Sequence, residues 1–135
     1  MTDRHIPETA AVVLGSAIGA AGMVVHNVLE FGPGFLGSAE TLIPLVIFVL
    51  LALLAWTMPA NNLVHVGLFA WALLNLVGGG ILSVLPLGLF PFEPGQSLGH
   101  YGAHVIYAVA QLPLVVVAAL AMRSRGQNAV VENVR

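Results

Sequence analysis

The 135-residue chain is 59% apolar and 7% charged, with a mean hydropathy of +0.97. This composition is typical of an integral membrane protein, and we expect a single membrane domain over residues 1–135, in contact with the lipid bilayer. Cysteine is absent, which excludes disulfides, thiolate metal sites and cysteine nucleophiles. A net charge of −2 without a basic run argues against nucleic acid as a partner.

Four apolar segments are long enough, or nearly so, to cross a hydrocarbon core of about 30 Å. They are Ala10–Leu29, Thr41–Met58, Leu63–Leu85 and Gly102–Met122, followed by a polar tail over 123–135. Lipid offers no partner to an unpaired backbone group, and four strands cannot close a barrel. The sequence therefore predicts an all-α, polytopic membrane protein with four helices in an antiparallel bundle.

The positive charges predict how the chain is oriented. Arg4, Arg123 and Arg125 lie close to the first and last segments, whereas the connections 30–40 and 86–99 contain no Lys or Arg. The positive-inside rule then puts both termini in the cytoplasm and the two long connections outside. We expect the membrane to be the cytoplasmic membrane of a bacterium or archaeon.

The first segment carries a stripe of small residues that leads to a polar pair. Gly15, Gly19, Gly22, His26 and Glu30 follow one another at steps of three or four, which places them on one helix face. Small residues at this spacing allow two helices to approach closely in lipid. The glycines are therefore predicted to pack against another helix.

The second and third segments contribute fewer polar groups. The second has Thr57 as its interior polar residue and is expected to face lipid or a partner protein. The third carries Asn75 near its middle and His65 at its start. His65 is far from the other histidines along the bundle, and helix capping beside Asn61 and Asn62 explains it.

The fourth segment has a polar stripe formed by His100, His104, Tyr107 and Gln111, which reaches about mid-membrane. Such a stripe should not face lipid, so helices one, three and four are expected to share a polar seam. His26 is three residues from the end of its segment, and His104 is two residues into its own. The two histidines should therefore lie at similar depth.

Ionisable side chains at membrane depth are costly, which marks them as functional candidates. Imidazole and carboxylate ligands suit copper, iron or zinc. The predicted ligands are His26, Glu30, His100 and His104. Their predicted hydrogen-bonding supports are Asn27, Tyr107, Gln111 and Asn75. Alternatively, Asn75 and Gln111 bond each other across helices.

Haem b is an alternative cofactor for the same histidines. His26 would bind one side of the iron and His100 or His104 the other, as axial histidines do in helical bundles. The glycine stripe would then make room for the flat macrocycle.

Three classes of function follow. The first is a redox or electron-transfer subunit of a larger membrane complex. The second is a structural accessory subunit without a cofactor, and the third is an oligomeric transporter of metal or protons. The sequence shows no Ser/His/Asp arrangement, phosphate loop or zinc-protease motif, so a complex subunit is favoured over a stand-alone enzyme. Other membrane subunits or further copies of the chain are the expected partners.

Overall fold

The computed structural model describes residues 5–88 and 95–133, and the regular structure in that part of the chain is helical. The four main helices are α1 (His5–Phe31), α2 (Ala39–Thr57), α3 (Asn62–Leu74) and α4 (Leu98–Asn133). A 3-10 segment, Gly32–Gly37, joins α1 to α2. Arg4, on which part of the orientation prediction rests, lies outside the described residues.

The predicted all-helical fold with four membrane-length helices is confirmed. The segments long and apolar enough to cross a membrane are Pro7–Phe31, Ala39–Thr57, Asn62–Val84 and Leu98–Gly126. A helix satisfies its own backbone groups, which is the condition for spanning lipid. Large apolar side chains such as Leu14, Leu53 and Val105 point outward and suit contact with a bilayer. These features indicate an integral membrane protein.

The glycine face of α1 packs directly on α4. A Cβ added at Gly22 would lie 2.2 Å from the Cβ of Ala110, and one added at Gly15 would lie 3.1 Å from the Cα of Leu114. Side chains at these positions would push the two helices apart. The small residues thus set the short separation between α1 and α4, which brings their polar residues together.

Two ends of the molecule can be distinguished by their contacts. At the histidine end, where α1 finishes and α4 begins, His26 contacts His104. At the terminal end, where α1 begins and α4 passes Arg125, Glu8 contacts Arg125. An apolar core lies between them and includes Val12, Phe48, Leu68, Leu114 and Ala118.

The second helix touches the others along a narrow stripe. Its buried residues Thr41, Phe48 and Ala55 recur every seven positions, which corresponds to two helical turns. Most of its remaining apolar side chains are exposed. This surface suits the predicted contact of the second segment with lipid or a partner.

The third membrane segment changes its helical form before it ends. Asn75–Ile81 is π-helical, and Leu82–Val84 forms a 3-10 turn. In this region a Cβ added at Gly80 would lie 2.8 Å from the Cβ of Ala108 on α4. Such π segments alter which carbonyls are free for other partners and occur often at functional sites. The sequence predicted one uninterrupted helix as far as Leu85 and missed this change.

Candidate functional site

His26 and His104 meet face to edge at the histidine end. Their rings lie 4.3 Å apart at an angle of 74°, and the two Nε2 atoms are 3.1 Å apart. Both residues are largely buried, with exposed fractions of 9% for His26 and 5% for His104. In each ring, the contact made by the other nitrogen, Nδ1, decides which of the two nitrogens carries the hydrogen.

The Nδ1 of His26 faces the side chain of Asn27. The amide nitrogen of Asn27 lies 3.2 Å from the carbonyl oxygen of Glu40 and 2.7 Å from the hydroxyl of Thr41. Since a carbonyl oxygen can only accept, this orientation of the amide is fixed. The amide oxygen then lies 2.8 Å from His26 Nδ1, which must donate to it. His26 therefore carries a hydrogen on Nδ1.

The Nδ1 of His104 donates to a backbone carbonyl. It lies 2.9 Å from the oxygen of Gly79, in the π-helical segment. A Cβ added at Gly79 would lie only 2.7 Å from the ring of Tyr107. The glycine therefore allows the backbone of the third segment to approach α4 and present its carbonyl to His104.

These two hydrogen bonds leave the Nε2 atoms without a hydrogen between them. A neutral imidazole has one N–H, and in both rings it is on Nδ1. Each Nε2 then carries a lone pair and no hydrogen, and the two Nε2 atoms lie 3.1 Å apart. Such a contact is repulsive unless a cation lies between the two atoms. Either an additional proton or a metal ion would serve.

His100 stands one helical turn before His104, with the two ring centroids 4.6 Å apart. Its Nδ1 lies 2.8 Å from a carboxylate oxygen of Glu30. The sequence pattern paired Glu30 with His26 along α1, whereas the structure joins Glu30 to His100 on α4. The Nε2 of His100 is buried and has no hydrogen-bond partner among the residues described.

Three imidazoles and one carboxylate are thus gathered at the histidine end. In residues 5–88 and 95–133, however, no three His, Asp or Glu side chains already converge as a formed metal centre. A metal ion held by more than His26 and His104 would need the third imidazole to move.

The predicted supporting residues lie deeper in the same region. The hydroxyl of Tyr107 donates to the amide oxygen of Asn75 at 2.5 Å, and the amide nitrogen of Asn75 donates to the carbonyl of Trp71. Gln111 instead donates to the carbonyl of Gly19 at 3.0 Å. The predicted alternative, a bond between Asn75 and Gln111, is therefore not formed. Asn75 instead pairs with Tyr107 on α4, and Gln111 pairs with Gly19 on α1.

His65 lies at the terminal end in a different environment. Its Nδ1 donates to the carbonyl of Asn61 at 2.9 Å, and its Nε2 accepts from the guanidinium of Arg125 at 3.1 Å. Arg125 is also 2.6 Å from a carboxylate oxygen of Glu8. The sequence pointed to capping near Asn61 and missed Arg125 and Glu8, because both are distant in the chain.

Sequence reasoning also missed two residues at the histidine end. Thr41 accepts from Asn27, and Gly79 supplies the acceptor for His104. Thr41 is one of the few polar residues of the mainly apolar second helix, which was a usable signal. The role of Gly79 depends on a backbone carbonyl, and side-chain patterns do not identify such groups.

The geometry defines a small helical membrane protein with a buried polar histidine site at one end. No protein-family model matches the chain, and comparison with curated proteins and with solved structures gave no match. A function must therefore be argued from the residues and their contacts.

Proposed function

We propose that the protein binds a transition-metal ion at the histidine end, with His26 and His104 as its first ligands. The observation that supports this most directly is the pair of Nε2 atoms that lie 3.1 Å apart in a buried position, since both rings carry their hydrogen on Nδ1. A metal cation between them removes the repulsion and uses both lone pairs.

The distances and neighbours suit a metal site. Metal–imidazole bonds of about 2.0–2.1 Å place two adjacent ligand nitrogens about 3 Å apart. Ligand histidines usually donate their other N–H to an oxygen, which fixes the tautomer and strengthens the ligand. Here the acceptors for His26 and His104 belong to Asn27 and Gly79. We propose His100 as the third ligand, through its buried Nε2.

The same geometry favours a metal ion over haem. Axial histidines on opposite sides of one iron would have nitrogens about 4 Å apart, at about 2 Å per bond. The Nε2 atoms of His26 and His104 are closer than that. In addition, the glycine face of α1 is filled by α4, since a Cβ at Gly22 would already meet Ala110. The proposed cofactor is therefore copper, iron or zinc, the metals that imidazole suits.

We also propose the orientation of the site in the membrane. The four helices would form an antiparallel bundle with both termini in the cytoplasm, because Arg123 and Arg125 lie near the last span and the long connections lack Lys and Arg. The histidine end would then face outward, in the cytoplasmic membrane of a bacterium or archaeon.

A bound copper or iron ion would fit a redox subunit of a larger membrane complex. Transport through a single protomer is less well supported. The buried polar side chains on α4 stop at Gln111, and the described residues beyond it include the apolar Leu114 and Ala118. An ion at the histidine end would meet a mainly apolar layer, in which Ser16 is a buried hydroxyl.

Metal content and affinity test the proposal. The full chain is purified in lipid nanodiscs, its metals are measured by elemental analysis, and Cu²⁺ and Zn²⁺ are titrated by calorimetry. We expect one ion per chain in wild type and an affinity lower by about 100-fold or more in His26→Gln or His104→Gln, since loss of a supporting residue alone costs about 10–100-fold. His65→Gln is the matched control, as it removes a buried histidine at the other end, and it should bind like wild type.

Two results would contradict the proposal. A folded protein that binds no metal would assign the cation between the imidazoles to a proton and favour a structural subunit. A reduced haem band in the absorption spectrum of the native protein would favour haem and an arrangement of α1 and α4 different from this one.

A further inference from the structure

We infer that Glu30 and His100 form a gate to the histidine end, in which Glu30 captures the incoming cation and His100 then closes over it. This inference rests on the proposed metal-binding function. It adds to that function a route, an order of events and a separate role for the carboxylate.

The positions of Glu30 and His100 indicate that these two residues line the entrance to the buried histidine pair, His26 and His104. Glu30 lies one turn beyond His26 on α1, and His100 lies one turn before His104 on α4. The hydrogen bond between them joins the two helices just outside the buried histidines. The side chains of His100 and Glu30 are 13% and 24% exposed, so they lie between the solvent and the deeper pair.

The opposite direction is closed within the part of the chain that the structure describes. Below Gln111 the interior is filled by the apolar core, including Val12, Leu68 and Leu114. Moving a charged ion through such a layer is far more costly than moving it past exposed polar groups. A cation would therefore reach His26 and His104 from the side of Glu30.

Because Glu30 is negatively charged, it would be the first residue to bind an incoming cation. Among the residues that the structure describes, it is the carboxylate that touches the histidine group. A negative charge at the mouth of a cleft raises the local concentration and association rate of cations. Once a cation binds Glu30, it competes with the N–H of His100 for the carboxylate. Release of His100 from Glu30 frees that ring to turn.

His100 has a reason to turn inward. Its Nε2 is buried without a hydrogen-bond partner among the described residues, and its ring is already within 4.6 Å of the His104 ring. A cation held by His26 and His104 would supply the missing partner. This movement would also explain how a third ligand joins a site whose side chains do not yet converge.

Stopped-flow binding of Co²⁺, followed by its visible absorption, tests the gate. The full chain in nanodiscs is compared with Glu30→Gln, which keeps an oxygen acceptor for His100 but removes the charge. We expect association to slow by about tenfold or more, with the difference shrinking at high salt because steering is screened. The dissociation rate should change much less.

Glu40→Gln is the matched control, because it removes the same charge from an exposed carboxylate at the start of α2. Its association rate should equal that of wild type. His100→Gln should leave association unchanged and accelerate dissociation, since it removes the closing ligand.

The outcomes separate the two proposals. If wild type binds Co²⁺ and Glu30→Gln associates equally fast, or if Glu40→Gln is slowed as much, the gate is wrong and the metal site stands. If Glu30→Gln changes only the dissociation rate, Glu30 is a permanent ligand and the gate is again wrong. If wild type itself binds no Co²⁺, the metal site fails first.

Discussion

The histidine end and the terminal end both bury histidine, but they satisfy it differently. At the terminal end, His65 is 1% exposed, donates from Nδ1 to a carbonyl and accepts at Nε2 from Arg125. At the histidine end, His26 and His104 also donate from Nδ1, yet the Nε2 of each lies 3.1 Å from the Nε2 of the other. Both nitrogens of His65 thus have a hydrogen-bond partner of the opposite kind, whereas the two Nε2 atoms at the histidine end have each other.

Burial alone therefore does not identify a binding histidine. A buried polar group without a partner costs about 1–3 kcal/mol, so a folded protein normally supplies one. At the terminal end the protein supplies its own positive charge through Arg125. At the histidine end the described residues provide no Lys or Arg partner for the two Nε2 atoms, and the proposed metal ion would supply the positive charge there. The following predictions test this contrast.

The largest expected effect is stabilisation by metal at one end only. At a free metal concentration about 1,000 times Kd, binding should raise the free energy of unfolding by about 4 kcal/mol. Unfolding by SDS in mixed micelles, with and without Cu²⁺, measures it. Wild type and His65→Gln should gain this stability, and His104→Gln should gain about 1.4 kcal/mol or less at the same metal concentration, because its affinity is lower by about 100-fold or more. An equal gain in His104→Gln would mean that Cu²⁺ binds elsewhere.

The second-largest expected effect follows from removing the positive charge of Arg125 at the terminal end. Arg125→Gln leaves His65 without a charged donor and Glu8 without its ion pair, and should lower the free energy of unfolding by about 2–3 kcal/mol. Metal affinity should not change, because Arg125 is at the opposite end from His104. Arg123→Gln makes the same charge change at an exposed position and should cost little. A loss of metal affinity in Arg125→Gln alone would show that the two ends are coupled.

The contact between α1 and α4 should also prove sensitive near the histidine end. Gly22→Ala places a Cβ 2.2 Å from that of Ala110, so the helices must separate. We expect a loss of about 2 kcal/mol, within the usual cost of overpacking, together with weaker metal binding. Gly102→Ala is the control, because no atom lies within 4 Å of the added Cβ and alanine favours the helix. Equal stability of the two variants would contradict the close contact.

The smallest expected effect concerns the support below the histidines. Tyr107→Phe removes the hydrogen bond to Asn75 and should lower the free energy of unfolding by about 1 kcal/mol. Tyr101→Phe removes a bond to Gln96 from an exposed hydroxyl, where water can replace the lost partner, and should have little effect. Denaturation in mixed micelles compares the two. A larger loss in Tyr101→Phe would assign the important tyrosine to the surface.

Part of the site could be predicted because it depends on distance along a helix. His26 near the end of one span and His104 near the start of another had to lie at similar depth once each span was a helix. The partner of Glu30 could not be predicted in this way. Spacing of four residues shows that Glu30 and His26 share a face, but not that the carboxylate reaches His100 on α4.

The role of the third membrane segment could not be predicted from a side-chain pattern either. The three consecutive glycines, 78–80, were visible in the sequence, whereas their π-helical form and the hydrogen bond from His104 to the carbonyl of Gly79 were not. The π-helix differs from the α-helix in that its hydrogen bonds span one residue more, and here packing decides between the two. Here Gly79 and Gly80 fit against Tyr107 and Ala108.

The sequence by itself determined the membrane class, the number of helices and the small group of polar residues available for function. Each follows from transfer of apolar chain into lipid and from backbone hydrogen bonding, which depend on local composition. The tertiary structure decided which nitrogen of each histidine carries a hydrogen. The amide of Asn27 beside His26 is oriented by Glu40 and Thr41, and the acceptors of His104 and His100, Gly79 and Glu30, lie on other helices. It also decided that His65 is paired with Arg125 while His26 faces His104. Those pairings depend on how close the helices approach, and contacts between distant segments set that distance.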